Sequence, residues 1–183
     1  MNVVQPVRSK EKLAGMEAWL GARNERDRML FLVGIYTGLR IGDILQLKGE
    51  NFDGRHIEMR EGKTRKHRRI QVADVLWREL KPYLETIKPD QWLFPSRQGG
   101  NARPLSRQRA YAILRAAARS QGIKHFGCHS TRKTFGHFVY TETKDVRLLM
   151  ELFNHSKAEI TLRYIGATQT ELDKAMRGLR LTD

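Results

Sequence analysis

Apolar residues first fall into a helical rhythm in NERDRMLFLVGIYTGLR (24–40), where Met29, Leu32, Val33 and Tyr36 recur three and four positions apart. Asn24 stands where a side-chain oxygen can cap the first turn, and Asp27 places negative charge near the positive end of the helix dipole. Gly38 tolerates the left-handed conformation that ends a helix. A short helix is predicted over IGDILQLK (41–48). The rhythm then changes. In FDGRHIEMREGKTRKHRRIQVA (52–73), Ile57 and Met59, and later Ile70 and Val72, alternate with polar residues as strands do. Asp53-Gly54 supplies one turn and the basic run 62–67 another, which predicts a small antiparallel sheet.

Helical spacing returns in DVLWRELKPYLETI (74–87). PSRQGGNARPLS (95–106) is punctuated as a loop, and Ser106 can cap a helix over RQRAYAILRAAARSQG (107–122) that closes at Gly122. Three more helices are predicted near 130–140, 144–153 and 157–164. In TQTE (168–171), Thr168 and Glu171 form a capping box, and Leu172, Met176 and Leu179 then share one face. A helix is therefore expected over 168–180, with its apolar stripe docked on protein. The fold class is mainly α with a small antiparallel β-sheet. No Pro/Gly/Ser linker divides the chain, so residues 1–183 read as one domain.

Charge narrows the partner. Thirty-four Lys and Arg against twenty Asp and Glu give a net charge of +14. Between Asp90 and Glu142 there are seven arginines, two lysines and no acidic residue. An ordinary solvated face mixes both signs, so a one-signed segment points to a polyanion. Arg103, Arg107, Arg109 and Lys133 lie in that segment; Arg60, Arg65, Lys66 and Arg68 lie in or beside the run REGKTRKHRR (60–69). All eight are candidate nucleic-acid contacts. No stretch reaches membrane-spanning length, and no basic helix carries the aromatic face of an interfacial anchor, so no membrane partner is expected. The first twenty residues lack the apolar block of a signal peptide, and the single cysteine, Cys128, permits no intrachain disulfide; a cytoplasmic location is expected.

CHSTRKTFGH (128–137) is dense in reactive groups and admits three readings. Metal binding needs three or four converging ligands, but Cys128 and His129 are adjacent, His137 is eight residues on, and Arg132 and Lys133 add positive charge. A thiol nucleophile needs a base facing it, and a chain neighbour is badly placed for that. A phosphate grip needs cationic donors on one face near a helix start, which His129 and Arg132 supply at their i,i+3 spacing. HxxR alone reads more readily as an exposed polar turn.

Three further stretches bear on the choice. YTGLRIGDILQLK (36–48) resembles the first arginine box of the tyrosine recombinases, the integrase family of phages and transposons. HSTRKTFGH (129–137) resembles the second box, HxxR. LLMELFNHSKAEITLRYIG (148–166) resembles the third, in which a histidine precedes the tyrosine nucleophile by nine residues, as His155 precedes Tyr164. EGKTRKHRRIQV (61–72) looks like the family hairpin that carries a catalytic lysine after a glycine. Residue by residue, Arg40 matches the first arginine, Lys63 the hairpin lysine, His129 and Arg132 the second box, and Tyr164 the nucleophile. Asp43 falls three after Arg40, where an acidic residue could hold that arginine. LFNHS departs from the usual Leu-Gly-His by placing Asn154 for a glycine, and Lys66 competes with Lys63 as the hairpin lysine.

The resemblance implies site-specific DNA recombination on double-stranded DNA through a 3′-phosphotyrosine, with no metal or cofactor. Arg40 and Arg132 would clamp the nonbridging oxygens, Lys63 would protonate the leaving 5′-oxygen, His129 would exchange the tyrosine proton, and His155 would donate a further hydrogen bond. It also implies assembly of four protomers on DNA. Arg40 lies so early that no further helical domain fits before it, so the chain is expected to be the catalytic domain alone. Two alternatives share parts of this sequence: a type IB topoisomerase, which relaxes DNA as a monomer, and a catalytically idle DNA-binding protein. Taken singly, each residue has an ordinary explanation: a half-buried tyrosine, a helix-end arginine, a solvated turn lysine.

Overall fold

The computed structural model describes residues 4–63, 65–98, 102–127 and 129–166. Among them run eight α-helices: α1 (Lys10–Gly21), α2 (Glu25–Thr37), α3 (Ile41–Ile44), α4 (Asp74–Leu84), α5 (Arg107–Ser120), α6 (Ser130–Thr143), α7 (Val146–Phe153) and α8 (Ala158–Ile165). Strands β1 (Phe52–Asp53), β2 (His56–Arg60) and β3 (His67–Gln71) form one antiparallel sheet in the order β1-β2-β3. Ile57 faces Ile70, and Arg60 faces His67 at the mouth of the basic turn. The mainly helical fold with one small sheet is the one the patterning predicts. Cys128 and the predicted helix 168–180 lie outside the described residues.

Caps set the starts of α2, α5 and α7. Asn24 accepts from the Asp27 amide at 3.3 Å, Ser106 from Arg109 at 3.2 Å, and Asp145 from Leu148 at 3.0 Å. Gly38 ends α2 with φ 62°, a conformation that side chains with a Cβ resist. α1 is not among the elements predicted above. Ser9 caps it through the Lys12 amide at 3.1 Å, and Met16 and Leu20 are buried against α2.

α2 also differs from its one-faced pattern. Leu30 and Phe31 are buried alongside Met29, Leu32 and Val33, because α1, α4, α5 and α6 pack around it. The main core is built on this helix. A second, smaller cluster of Leu149, Phe153 and Ile165, backed by Phe135, Val139 and Leu162, fastens α7 and α8 to α6. Gly136 makes that approach possible: a Cβ there would lie 2.6 Å from Phe153 Cζ and 2.7 Å from Ile165 Cγ2. Overpacking costs about 1–3 kcal/mol, against a helix-propensity gain of roughly 0.5–1 kcal/mol for Ala over Gly. Gly136→Ala is therefore expected to lower the thermal midpoint by about 2–4 °C per kcal/mol lost. Because Ile165 adjoins Tyr164, α8 should shift with it.

Candidate active site

The site begins where α2 ends. The left-handed turn at Gly38 reverses the chain, and Arg40 follows in an extended conformation at the start of α3. Its side chain, 23% exposed, reaches the mouth of the β2–β3 hairpin, where Arg40 Nη1 lies 3.1 Å from Glu61 Oε2 and 3.9 Å from Asp43 Oδ2. Neither contact is an aligned hydrogen bond, so the attraction is mainly Coulombic. Asp43 thus does approach Arg40, but its closer partner is the hairpin: Oδ1 accepts from the Gly62 amide at 3.0 Å. Glu61, which no motif in the sequence singles out, is the nearer anion to Arg40.

α6 supplies the next pair. His129 sits at its N-terminal cap, and Arg132 lies one turn on, 3% exposed. Arg132 Nη1 donates to the Gly38 carbonyl at 2.6 Å and Nη2 to the Phe153 carbonyl at 3.1 Å. Its guanidinium also lies 4.4 Å from the Phe153 ring centroid. One buried arginine therefore joins the ends of α2 and α7, which meet nowhere in the sequence.

α7 and α8 bring the remaining groups. Asn154 ends α7 at φ 54° and ψ 48°, the left-handed conformation that glycine favours and asparagine tolerates. The replacement of glycine thus preserves the turn. It also adds an interaction, because Lys66 Nζ donates to Asn154 Oδ1 at 3.1 Å. His155 follows, with Nδ1 3.1 Å from Thr161 Oγ1. Tyr164 projects from α8 so that its hydroxyl lies 3.4 Å from His129 Nδ1, and its ring packs edge-on to His155 with centroids 5.4 Å apart. Lys133 Nζ sits 5.2 Å from the Tyr164 ring centroid while donating to the Val4 carbonyl at 2.6 Å.

Titration behaviour follows from this crowding. Burial lowers the His129 pKa, and the charges of Arg132, Lys133, Arg40 and Lys63 lower it further, although one edge of the residue remains open to solvent. His155 is lowered for the same reasons, burial first and then Arg132 and Arg40. Burial raises the Tyr164 phenol, with Arg132 and Arg40 opposing. These directions favour uncharged imidazoles and a protonated phenol near neutral pH, beside the cations of Arg40 and Arg132.

The structure brings Arg40, Arg132, His129, His155 and Tyr164 together. Lys63 stands exposed in the hairpin turn, close enough for its charge to reach His129, whereas Lys66 is engaged by Asn154. Arg60, Arg65, Arg103, Arg107 and Arg109 are exposed. Arg68, expected among the DNA contacts, turns inward instead: its Nη1 donates to Glu61 Oε1 at 3.2 Å and to the Leu152 carbonyl at 3.1 Å. Strand alternation places it on the inner face of β3. Among the described residues, no three His, Cys, Asp or Glu side chains gather as a metal site requires, and no helix is long and apolar enough to cross a membrane.

Comparison with known proteins gives the same outline. A curated relative, the probable integrase/recombinase YoeC of Bacillus subtilis, is 41% identical over 167 residues, which span 91% of each chain. Tyrosine recombinase XerA of Pyrococcus furiosus is 31% identical over 161 residues, 86% of this chain but 56% of that one. The chain thus spans nearly all of the first and just over half of the second. Among solved structures, the XerA recombinase superposes with a TM-score of 0.78 at 21% identity, covering 97% of this chain and 67% of that one. A XerH site-specific recombinase bound to its difH substrate, in a post-cleavage complex, gives 0.76 at 20% identity over 96% of this chain and 53% of that one. These structural likenesses establish the tyrosine recombinase catalytic fold. The sequence profile of the phage integrase family matches residues 11–171, and with it the chain belongs to that family.

Proposed function

We propose that the protein is a tyrosine-type site-specific recombinase that cuts and rejoins double-stranded DNA through a 3′-phosphotyrosine on Tyr164. The observation that carries this reading is the approach of the Tyr164 hydroxyl to His129 within the pocket of Arg40 and Arg132. In the cleavage step the Tyr164 oxygen bonds to phosphorus and the bond from phosphorus to the 5′-oxygen breaks. The phenol proton passes to neutral His129, and Lys63 protonates the departing 5′-oxygen. Arg40 and Arg132 face the nonbridging oxygens as permanently charged forked donors, and His155 adds a hydrogen bond. The phosphodiester energy is kept in the phosphotyrosine, so attack by another 5′-hydroxyl reverses the step.

Arg60, Arg65, Lys66, Arg103, Arg107 and Arg109 would grip the flanking backbone, an electrostatic contribution that weakens steeply with salt. Four such protomers would exchange strands, with residues 168–180 as a docking helix seated in cis or on a neighbouring protomer and 1–183 acting as one catalytic unit. The family match favours this reading over topoisomerase action or idle DNA binding.

The test uses a pool of nicked duplexes with randomised sequence around the nick. Covalent complexes that survive denaturation are recovered, their DNA is sequenced to give a substrate, and the adduct peptide is mapped by mass spectrometry. An adduct on the peptide containing Tyr164 is expected; no adduct, or one elsewhere, overturns the reading.

The same substrate gives a pH test. If His129 takes the phenol proton, it must be neutral. Its pKa is lowered by burial and by surrounding cations, so cleavage should stay level near neutral pH and fall on acidification, with a midpoint below the ordinary histidine value of about 6.5. A single-turnover rate that instead rises on acidification would assign His129 the opposite protonation state.

A further inference from the structure

We infer that Glu61 is a positioning residue for strand cleavage, its carboxylate holding Arg40 in the pocket while its backbone, which a side-chain change leaves in place, closes the hairpin that carries Lys63; this rests on the reading of the pocket given under Proposed function. Its carboxylate is 1% exposed, and each oxygen serves one arginine: Oε2 lies 3.1 Å from Arg40 Nη1, and Oε1 accepts from Arg68 Nη1 at 3.2 Å. Its backbone closes the hairpin mouth. The Glu61 amide donates to the Lys66 carbonyl at 3.0 Å, and its carbonyl accepts from the Arg65 amide at 2.9 Å. Arg68 in turn donates to the Leu152 carbonyl, three residues before His155. One buried carboxylate thus ties together the first arginine, the lysine hairpin and the end of α7.

A carboxylate this buried needs cationic partners to offset its desolvation. Arg40 gains in return. A long, solvent-reaching guanidinium samples many rotamers, and fixing it before DNA arrives removes that ordering from the reaction step. Asp43 cannot replace Glu61, because it is farther from Arg40 and its other oxygen is taken by the Gly62 amide.

The experiment compares Glu61→Gln, Arg40→Ala and the double variant in single-turnover cleavage of the trapped duplex sequence at saturating protein. DNA affinity and thermal midpoint are measured in parallel. Glu61→Gln keeps the shape but presents an amide N–H₂ to an arginine. Cleavage by this variant is expected to slow roughly 10–100-fold through misplacement of Arg40, while DNA affinity changes by no more than about threefold because other cations hold the backbone. In the Arg40→Ala background the same change should alter the rate by no more than about twofold, since residues acting through one another are non-additive. Parental cleavage by Glu61→Gln, or equal slowing in both backgrounds, overturns the inference. Should Glu61→Gln not fold, Glu61→Asp keeps the charge and retracts the carboxylate by one methylene, and the same two comparisons decide. If Arg40→Ala itself cleaves at the parental rate, the functional reading fails and this inference with it. If Arg40→Ala is slow and Glu61→Gln is not, only this inference fails.

Discussion

Tyr164→Phe is expected to abolish the covalent protein–DNA complex while leaving DNA affinity and folding close to parental. The phenol ring packs against Phe153 and His155, and phenylalanine keeps that packing. The hydroxyl is what it lacks, and that oxygen is the only atom of Tyr164 that can bond to phosphorus. The hydroxyl's hydrogen bond to His129 is long, at 3.4 Å, and involves a residue with an edge in solvent, so little stability goes with it. Denaturing gels of the trapped substrate should show no shifted band, and anisotropy should show binding. A shifted band from Tyr164→Phe would move the nucleophile elsewhere. Tyr36, Tyr83, Tyr111 and Tyr140 would then be replaced in turn.

Arg132→Ala should be the most damaging of the arginine changes, because it removes two things at once. As a preorganised donor to developing charge, it is expected to supply about 2.7–4 kcal/mol of barrier lowering, or roughly 10²-fold in rate or more. As a structural tie, it satisfies the Gly38 and Phe153 carbonyls, each of which would cost about 1–3 kcal/mol if left buried without a donor. Arg40→Ala shares the first loss but strands no backbone carbonyl; it takes one cation from the buried Glu61, which keeps its ion pair with Arg68. The two variants should therefore lose cleavage to similar extents, and Arg132→Ala should lose more degrees of thermal midpoint than Arg40→Ala. Affinity should weaken much less than rate in both, because many other basic residues remain to hold the backbone. Equal losses in binding and cleavage would make the two arginines general phosphate ligands.

The pattern of apolar spacing is enough to predict α2, α4 to α8 and the small sheet, because each of those elements carries its own periodicity, and in α2, α5 and α7 a capping side chain marks the start as well. α1 carries the same marks, Ser9 as cap and Leu13, Met16 and Leu20 along one face, and is assignable from them. The order of the four motifs is equally legible. Arg40, His129, Arg132, His155 and Tyr164, named from those motifs, lie close together in the structure.

What the sequence does not determine is how those groups are held. Along the chain Glu61 is one more charge in a basic turn, and only hairpin closure buries it between Arg40 and Arg68. Arg68 shares the strand parity of Ile70 and Val72, so its face is legible, but its partners, Glu61 and the Leu152 carbonyl, are set only by the fold. Arg132 can be named as a phosphate ligand from HxxR, but its hold on the ends of α2 and α7 joins positions 94 and 21 residues away. Periodicity and caps are local and can be read along the chain. The partner of a buried charge is whichever group the packed helices leave beside it, and that is fixed only when the tertiary structure forms.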